Sequence, residues 1–275
     1  MLSGRMDPFS GRVAVITGGA GGIGMAMARA FAARGAKLVL ADMDEAALAR
    51  AVDELRKAGA TAHGVRADVG DLASVNALAD ETVRHYGAVH IVCNNAGIAL
   101  FGEMANATHA DWEYTMRVNF WGVVHGVETF VPRMLARGRG GHVVNTASMA
   151  GLVGMQWLGV YCASKFAVVG LSEALHREMK PHGIGVSVLC PMIVATNINE
   201  NSAIRRPAEL RNPGEPVVPP AGAMVGSTIT PEEAPRRVIR AIERGDLYVL
   251  THPEQRDILK RRWMRQDRMF EPDIW

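Results

Sequence analysis

The sequence is poor in cysteine and has no strong excess of charge of either sign. Its three cysteines, Cys93, Cys162 and Cys190, lie far apart along a chain of 275 residues. Their spacing fits neither a metal site nor a redox pair, so we expect buried, reduced thiols. The 30 basic and 28 acidic residues give a formal net charge of +2, which argues against a nucleic-acid-binding protein.

Long apolar runs are also missing. No stretch reaches the ~20 apolar residues of a membrane span, and residues 1–10 lack the apolar run of a signal peptide. The nine histidines are dispersed, with no clear metal-ligand spacing. A basic cluster at residues 260–265 is typical of a solvated helix face. We therefore expect a cytoplasmic protein with no metal site and no nucleic-acid or membrane partner.

The beginning of the chain has the pattern of strand, glycine turn and helix. Residues 12–17 (RVAVIT) form a short β-branched run, residues 18–24 (GGAGGIG) are rich in glycine, and apolar residues at helical spacing follow as far as Gly35. Glycines in such a turn allow a close approach of the backbone to a pyrophosphate, whose charge is favoured at a helix N-terminus. A glycine turn alone is weak evidence, but this position strengthens it.

A carboxylate follows the second predicted strand, residues 37–41. Asp42 stands where it could accept hydrogen bonds from an adenosine ribose, although an ordinary surface aspartate is the alternative. The turn contains no arginine or lysine to balance a 2′-phosphate, so we favour NAD over NADP. Further strands end at Asp68 and Asn94, and amphipathic helices alternate with them. This alternation predicts an α/β fold: one domain over residues 1–275, with a doubly wound parallel sheet and helices on both faces.

The stretch from Asn145 to Lys165 carries the candidate chemistry. Tyr161 and Lys165 are four residues apart and would share one helix face. A nearby ammonium would lower the tyrosine pKa and allow the phenol to act as an acid or base. Such pairs are common on helices, so this pair is not decisive by itself.

Six motifs in order resemble the short-chain dehydrogenase/reductase family, from about Gly11 to Thr196. They are TGGAGGIG at 17–24, Asp68-Val69, NNAG at 94–97, Asn119, Ser148 and YCASK at 161–165. The resemblance implies a Rossmann-type fold, hydride transfer between NAD(P) and a secondary alcohol or ketone, and a homotetramer. It also implies that Tyr161 is the general acid/base, that Lys165 lowers its pKa, that Ser148 holds the substrate oxygen, and that Asn119 places a relay water.

The resemblance further implies a set of cofactor contacts. These are Gly18, Gly22, Ile23, Gly24, Asp42, Asp68, Val69, Asn94, Ala96, Gly97, Tyr161, Lys165, Val194 and Thr196. The chain departs from the family at Met192, where glycine is usual, so Met192 either narrows the cofactor pocket or joins the substrate surface.

Apolar residues between Ser148 and Tyr161 suggest the substrate class. We predict substrate contacts from Ser148, Met149, Met155, Trp157 and Met192, and a hydrophobic or aromatic substrate. Residues 197–228 lose periodicity and contain five prolines, which predicts a substrate lid or a merely flexible loop. Residues 231–275 are predicted as an extended, mainly helical C-terminal segment opened by a capping box at 230–233.

The favoured function is an NAD-dependent oxidoreductase acting on CH-OH groups. Two alternatives stay open. One is a catalytically inactive NAD-binding regulator, which the presence of Asn119, Ser148, Tyr161 and Lys165 disfavours. The other is an epimerase or dehydratase on the same fold.

Overall fold

The computed structural model describes residues 7–214, 217–218 and 226–270. Within these residues, seven strands form one parallel sheet and two short strands form a separate pair. The strands are β1 (Val13–Thr17), β2 (Lys37–Asp42), β3 (Ala62–Arg66), β4 (Ile91–Asn94), β5 (Gly141–Thr146), β6 (Ile184–Cys190), β7 (Ile193–Val194), β8 (Thr228–Ile229) and β9 (Tyr248–Leu250). The separate pair consists of β7 and β8.

Helices connect the strands and cover the sheet. They are α1 (Gly22–Ala32), α2 (Glu45–Lys57), α3 (Leu72–Tyr86), α4 (His109–Met116), α5 (Gly122–Arg137), α6 (Gly159–Met179), α7 (Ile198–Ile204), α8 (Glu233–Arg244) and α9 (Gln255–Asp267). A π-helical turn, Arg117–Trp121, joins α4 to α5. Among the described helices, none is both long and apolar enough to cross a membrane.

The strand order is β3-β2-β1-β4-β5-β6-β9, and every neighbouring pair is parallel. The order of the chain reverses between β1 and β4, where ligands bind in doubly wound sheets because the connections leave in opposite directions. The carboxyl ends of these strands lie side by side, since Thr17 is level with Ala41 and Ile16 with Cys93. The predicted Rossmann-type fold is confirmed.

Apolar cores lie on both faces of the sheet. One face packs against α1, α2 and α8 through Phe31, Leu48 and Val238, and the other packs against α3 and α5 through Leu78 and Phe130. Strands covered on both faces need continuous apolar runs rather than alternation, which explains the runs in the sequence. Each buried side chain of this size contributes about 1.5–3 kcal/mol.

The segment predicted to be irregular, 197–228, begins with a helix instead. Residues 198–204 form α7 because the prolines of this segment start only at Pro207. Residues 215–216 and 219–225 of the predicted lid lie outside the described residues. After residue 230 the structure has α8, β9 and α9, and the Thr230 N–H donates to Glu233 Oε2 at 2.9 Å.

Candidate active site

A cavity of about 850 Å³ lies beyond the carboxyl ends of the strands. It brings together most of the residues that the sequence singled out. Those on its lining are Gly18, Gly22, Ile23, Asp42, Asp68, Val69, Ala96, Gly97, Ser148, Met149, Met155, Tyr161, Lys165, Met192, Val194 and Thr196. Three predicted contacts, Gly24, Asn94 and Trp157, do not line it, and neither does the predicted relay residue Asn119.

The glycine turn has the geometry of an anion cradle. Gly18 and Gly22 adopt φ angles of +63° and +50°, and a Cβ on Gly18 would lie 3.0 Å from Ala96 Cα. Helix α1 starts at Gly22, and no described side chain caps it. Its first N–H groups therefore remain available to a pyrophosphate, and the turn fits a dinucleotide. Gly24 serves packing instead, because a Cβ there would lie 2.1 Å from the Gly18 carbonyl oxygen.

Asp42 ends β2 with a side chain that is only 4% exposed. Its Oδ2 accepts from the Ala20 N–H at 3.3 Å, and its Oδ1 accepts from the Asp44 N–H at 3.2 Å. Arg205 Nη1 lies 3.3 Å from Oδ1. The sequence suggested a carboxylate without a cation beside it, and this part of the expectation is wrong. The cation comes from α7, far along the chain.

The segment after β3 contributes two more residues to the cavity lining. Asp68 pairs with Arg117 Nη2 at 2.9 Å, and its Oδ1 accepts from the Gly70 N–H at 2.8 Å. Val69 follows on the lining, and its carbonyl oxygen lies 2.8 Å from His125 Nδ1. The two residues thus present a fixed carboxylate and an apolar side chain to the cavity.

Asn94 has a different position from the one predicted. Its side chain is buried, and Nδ2 donates to Asn145 Oδ1 at 2.9 Å. Side chains alternate along a strand, and it is Asn95 that lines the cavity, with Nδ2 donating to the Thr17 carbonyl oxygen at 3.0 Å. The two adjacent asparagines in the sequence could have indicated that either one faces the cavity. The motif led us to choose Asn94, whereas Asn95 is the one on the lining.

Ser148, Tyr161 and Lys165 converge at one side of the cavity. Tyr161 lies in the first turn of α6, and Ser148 Oγ donates to the Pro191 carbonyl oxygen at 3.4 Å. Lys165, one turn later and only 3% exposed, donates from Nζ to the Thr146 carbonyl oxygen at 3.0 Å. Its Nζ lies 5.6 Å from the centroid of the Tyr161 ring. The i, i+4 spacing and the strand end at Thr146 together bring the three side chains to the same side of the cavity.

Burial dominates the ionisation of this group. It raises the pKa of Tyr161 to about 12, with the Ser148 hydrogen bond opposing the shift. It also lowers the pKa of Lys165 to about 8. The net shift of the Tyr161 pKa is upward because removal from water outweighs the neighbouring polar groups, and the predicted lowering by Lys165 stays a prediction. Tyr161 is a neutral phenol near neutral pH and can donate a proton.

Asn119 is wholly buried in the π-helical turn. Its Oδ1 accepts from the Ile98 N–H at 2.8 Å, and its Nδ2 donates to the Ile98 carbonyl oxygen at 3.0 Å and to Ser164 Oγ at 3.2 Å. The side chain thus ties the loop after β4 to α6. Its predicted role as a water-placing residue stays a prediction.

The cavity lining near Tyr161 is mostly apolar, and one of the predicted substrate contacts is missing from it. Trp157 is not on the lining; it has a φ of +68°, and its carbonyl oxygen accepts from the Gly102 N–H at 2.9 Å. The backbone turns there, which places Leu158 on the cavity instead. Ile258 of α9 also lines the cavity, a contact from distant sequence that no motif indicated.

Two buried residues after β9 hold the segment that follows β6. Gln255 Oε1 accepts from the Thr251 and His252 N–H groups, both at 2.9 Å, and Nε2 donates to the Cys190 carbonyl oxygen at 2.7 Å. His252 Nε2 lies 3.2 Å from the Ile193 carbonyl oxygen. Sequence reasoning missed both residues because polar groups near a chain end usually face solvent.

Away from the cavity, one group of side chains has metal-ligand character. Ligand atoms of His63, Glu81 and His85 lie within 4.8 Å of one another. Arg84 already pairs with Glu81, and the two imidazole rings stack with centroids 4.2 Å apart. A metal ion bound there would have to displace the Arg84 guanidinium from Glu81. The expected absence of a metal site stays a prediction.

Comparison with known proteins identifies the family of this chain. The family model for short chain dehydrogenases matches residues 12–206, which span the whole glycine turn and the Ser148, Tyr161 and Lys165 group. The chain belongs to the short-chain dehydrogenase/reductase family. The predicted resemblance is confirmed, and members of the family are oxidoreductases.

Several relatives of the short-chain dehydrogenase/reductase family match over nearly the whole chain. The C alpha-dehydrogenase of Sphingobium sp. (strain NBRC 103272 / SYK-6) is 36% identical over 93% of this chain and 85% of its own. The CLA biosynthesis dehydrogenase/reductase of Lactiplantibacillus plantarum is 31% identical over 98% of each. A crystal structure of a family member from Burkholderia phymatum in complex with NAD superposes with a TM-score of 0.89, at 40% identity, and covers 97% of this chain and 98% of that one.

Proposed function

We propose that this protein is an NAD-dependent oxidoreductase that interconverts a secondary alcohol and a ketone on a hydrophobic substrate. The observation that carries the proposal is the convergence of Tyr161, Ser148 and the buried Lys165 on one cavity with the glycine turn. The NAD complex of the Burkholderia phymatum relative supports the choice of cofactor.

The residues divide the work between binding and proton transfer. The α1 N-terminus and the glycine turn would hold the pyrophosphate, Asp42 the adenosine ribose, and Val194 and Thr196 the carboxamide. Bound NAD supplies the hydride acceptor in alcohol oxidation, and its reduced form supplies the donor in ketone reduction. Tyr161 then exchanges a proton with the substrate oxygen, which Ser148 orients.

Burial favours Tyr161 as the donor in the reductive direction. A phenol with a pKa of about 12 is protonated near neutral pH and is ready to protonate a carbonyl oxygen as hydride arrives. In the oxidative direction the same phenol must first lose its proton, and the charge of Lys165 stabilises the phenolate. The buried contact of Lys165 with Thr146 keeps that charge close to the ring.

The apolar lining supports a hydrophobic or aromatic substrate. Met149, Met155, Leu158 and Met192 reach the cavity near Tyr161, and none of these side chains can pair with a charged substrate group. Met192 occupies a position where the family usually has glycine, so we assign it to the substrate surface. It narrows the cavity next to residues 193–196, the segment that would hold the nicotinamide carboxamide and that we call the carboxamide segment.

The test compares Tyr161→Phe with the wild type. We expect turnover of bulky secondary alcohols to fall by about 10²- to 10⁴-fold, the usual contribution of a general acid or base, while NADH affinity stays within about twofold. Tyr86→Phe is the matched control, because it removes a partly buried phenol on α3 that does not line the cavity. Turnover is followed by NADH absorbance, and binding by NADH fluorescence.

The outcomes separate the hypotheses. Turnover that survives in Tyr161→Phe contradicts the proton-transfer role. Wild-type binding of NADH without turnover of any alcohol or ketone, apolar or polar, favours the regulator hypothesis instead. Product formation without net oxidation or reduction of the cofactor favours an epimerase or dehydratase.

A further inference from the structure

Helix α7 lies along the cavity and connects its two ends. Ile198, Asn201 and Arg205 all line the cavity, at the spacing of three and four residues that defines one helix face. The N-terminal end of α7 follows Thr196 of the carboxamide segment, and its C-terminal cap is Arg205. The helix thus reaches from the hydride-transfer end of the site to the adenosine end.

The C-terminal end of α7 is bound to the carboxylates beyond β2. Arg205 Nη1 lies 3.3 Å from Asp42 Oδ1, and Nη2 lies 3.4 Å from Asp44 Oδ2. Both distances are at the long end for hydrogen-bonded ion pairs, so the guanidinium is shared rather than tightly held by one partner. Asp44 uses its other oxygen to cap α2, by accepting from the Ala47 N–H at 2.9 Å.

Other contacts already hold α7 against the body of the protein. Ser202 Oγ accepts from the Ala99 N–H at 2.9 Å, and the Ser202 carbonyl oxygen accepts from the Tyr114 hydroxyl at 3.2 Å. The next residue, Arg206, pairs with Asp111 at 2.8 Å. These contacts hold α7 at Ser202, whereas the pairing of Arg205 with Asp42 and Asp44 holds its C-terminal end at the cavity.

We propose that Arg205 is a latch that fastens α7 over the adenosine end of the cofactor, so that cofactor binding there and closure over the substrate end are coupled. Arg205 acts as a positioning residue. The proposal rests on the proposed function, because Asp42 is assigned to the adenosine ribose. A carboxylate can accept several hydrogen bonds, so Asp42 can bind the ribose hydroxyls and Arg205 together.

Charge explains why this coupling is favourable. The Asp42 side chain is 4% exposed and the Arg205 side chain 26% exposed, so without the guanidinium a nearly buried carboxylate would keep only backbone N–H partners. Removing one member of such a pair is costly because the other charge stays desolvated. Ribose hydroxyls that reach Asp42 exclude more water from the pair and strengthen it. Binding of the adenosine half of the cofactor therefore favours the position of α7 in which Arg205 contacts Asp42 and Asp44.

The experiment measures latching directly, with Arg205→Gln as the main variant. Stopped-flow fluorescence gives the dissociation rate of NADH, and hydrogen exchange of the α7 amides is compared with and without ADP-ribose, which lacks the nicotinamide. We expect about tenfold faster NADH dissociation, the effect of losing one charge-assisted hydrogen bond. We also expect the protection of α7 by ADP-ribose to be lost.

Three further variants sharpen the result. Asp44→Asn keeps the α2 cap, because asparagine is an equally good N-cap, but it removes one of the two carboxylates that Arg205 contacts. We expect NADH to dissociate about threefold faster from this variant, which is part of the full effect. Arg205→Lys can reach one carboxylate and should restore part of the slow rate. Arg211→Gln makes the same charge change on an exposed side chain of the same segment and should behave as the wild type.

Each outcome bears on the proposal. Equal NADH dissociation and equal α7 protection in wild type and Arg205→Gln would overturn the latch while leaving the oxidoreductase function intact. If Arg205→Gln does not fold, an unchanged dissociation rate in Asp44→Asn overturns the latch, and a faster rate supports it. Failure of the wild type to bind either NADH or ADP-ribose overturns the latch and the proposed function together.

Discussion

Gln255 offers the sharpest test of how the C-terminal segment supports the site. The side chain is 0% exposed and satisfies three backbone groups: two N–H groups at the start of α9 and the carbonyl oxygen of Cys190 at the end of β6. Its Nε2 also lies 3.4 Å from Met149 Sδ on the cavity lining. Gln255→Ala leaves all three backbone groups without a partner.

The expected loss follows from the cost of buried unpaired groups. Each one costs about 1–3 kcal/mol, and some relaxation is expected, so we predict about 3–5 kcal/mol lower stability for Gln255→Ala. For a chain of this size that corresponds to a fall in Tm of about 10 °C. Because the Cys190 carbonyl precedes the carboxamide segment, the KM for NADH should also rise several-fold.

A matched variant separates hydrogen bonding from the loss of side-chain volume. Gln255→Glu keeps the shape and both acceptor contacts but places a carboxylate oxygen against the Cys190 carbonyl. Burial should raise the folded-state pKa of this glutamate above its unfolded value of about 4.3. The protonated acid can donate to Cys190, so the stability deficit should shrink as pH falls through the raised pKa. Urea unfolding at several pH values measures both effects. A Gln255→Ala protein within about 1 kcal/mol of wild type, or a Gln255→Glu deficit independent of pH, refutes the reasoning.

Two further predictions concern single charged or titratable groups. Asp42→Ala should weaken NAD binding and narrow its advantage over NADP, as measured by the ratio of the two dissociation constants; an unchanged ratio shows that this carboxylate does not contact the ribose. Burial lowers the pKa of His142 from 6.5 to about 4, so the unfolded chain binds its proton first. Stability is then full above about pH 6.5 and falls by up to about 3 kcal/mol towards pH 4. His142→Gln should reduce this fall in urea unfolding, and an identical pH profile contradicts the assignment.

Local patterns predicted the fold and much of the site. Strand β1, the glycine turn and α1 are consecutive in sequence. Tyr161 and Lys165 are only four residues apart, which places them on one helix face. Parallel strands bring their carboxyl ends to the same edge, so Asp42 and Asp68 could be assigned to that edge from their positions alone. The physical rule in each case needs only neighbouring residues.

The errors arose where a side chain's direction or its solvation decides the outcome. Asn94 and Asn95 are adjacent, and only the strand alternation in the folded chain determines which one faces the cavity. The spacing of Tyr161 and Lys165 predicted contact correctly, but the pKa of Tyr161 depends on how much water the whole fold removes. Burial is a property of the complete structure, so a four-residue spacing does not predict it.

Long-range polar contacts were the least predictable part, and they are the ones that complete the site. Arg205 meets Asp42 from a segment that no motif marks, and Gln255 reaches Cys190 from a segment beyond the family match at residues 12–206. In both cases a polar side chain satisfies buried groups on a strand end that also carries the cofactor or substrate surface. Helices α7 and α9 are therefore where we expect the substrate preference to be determined, since residues of both line the cavity.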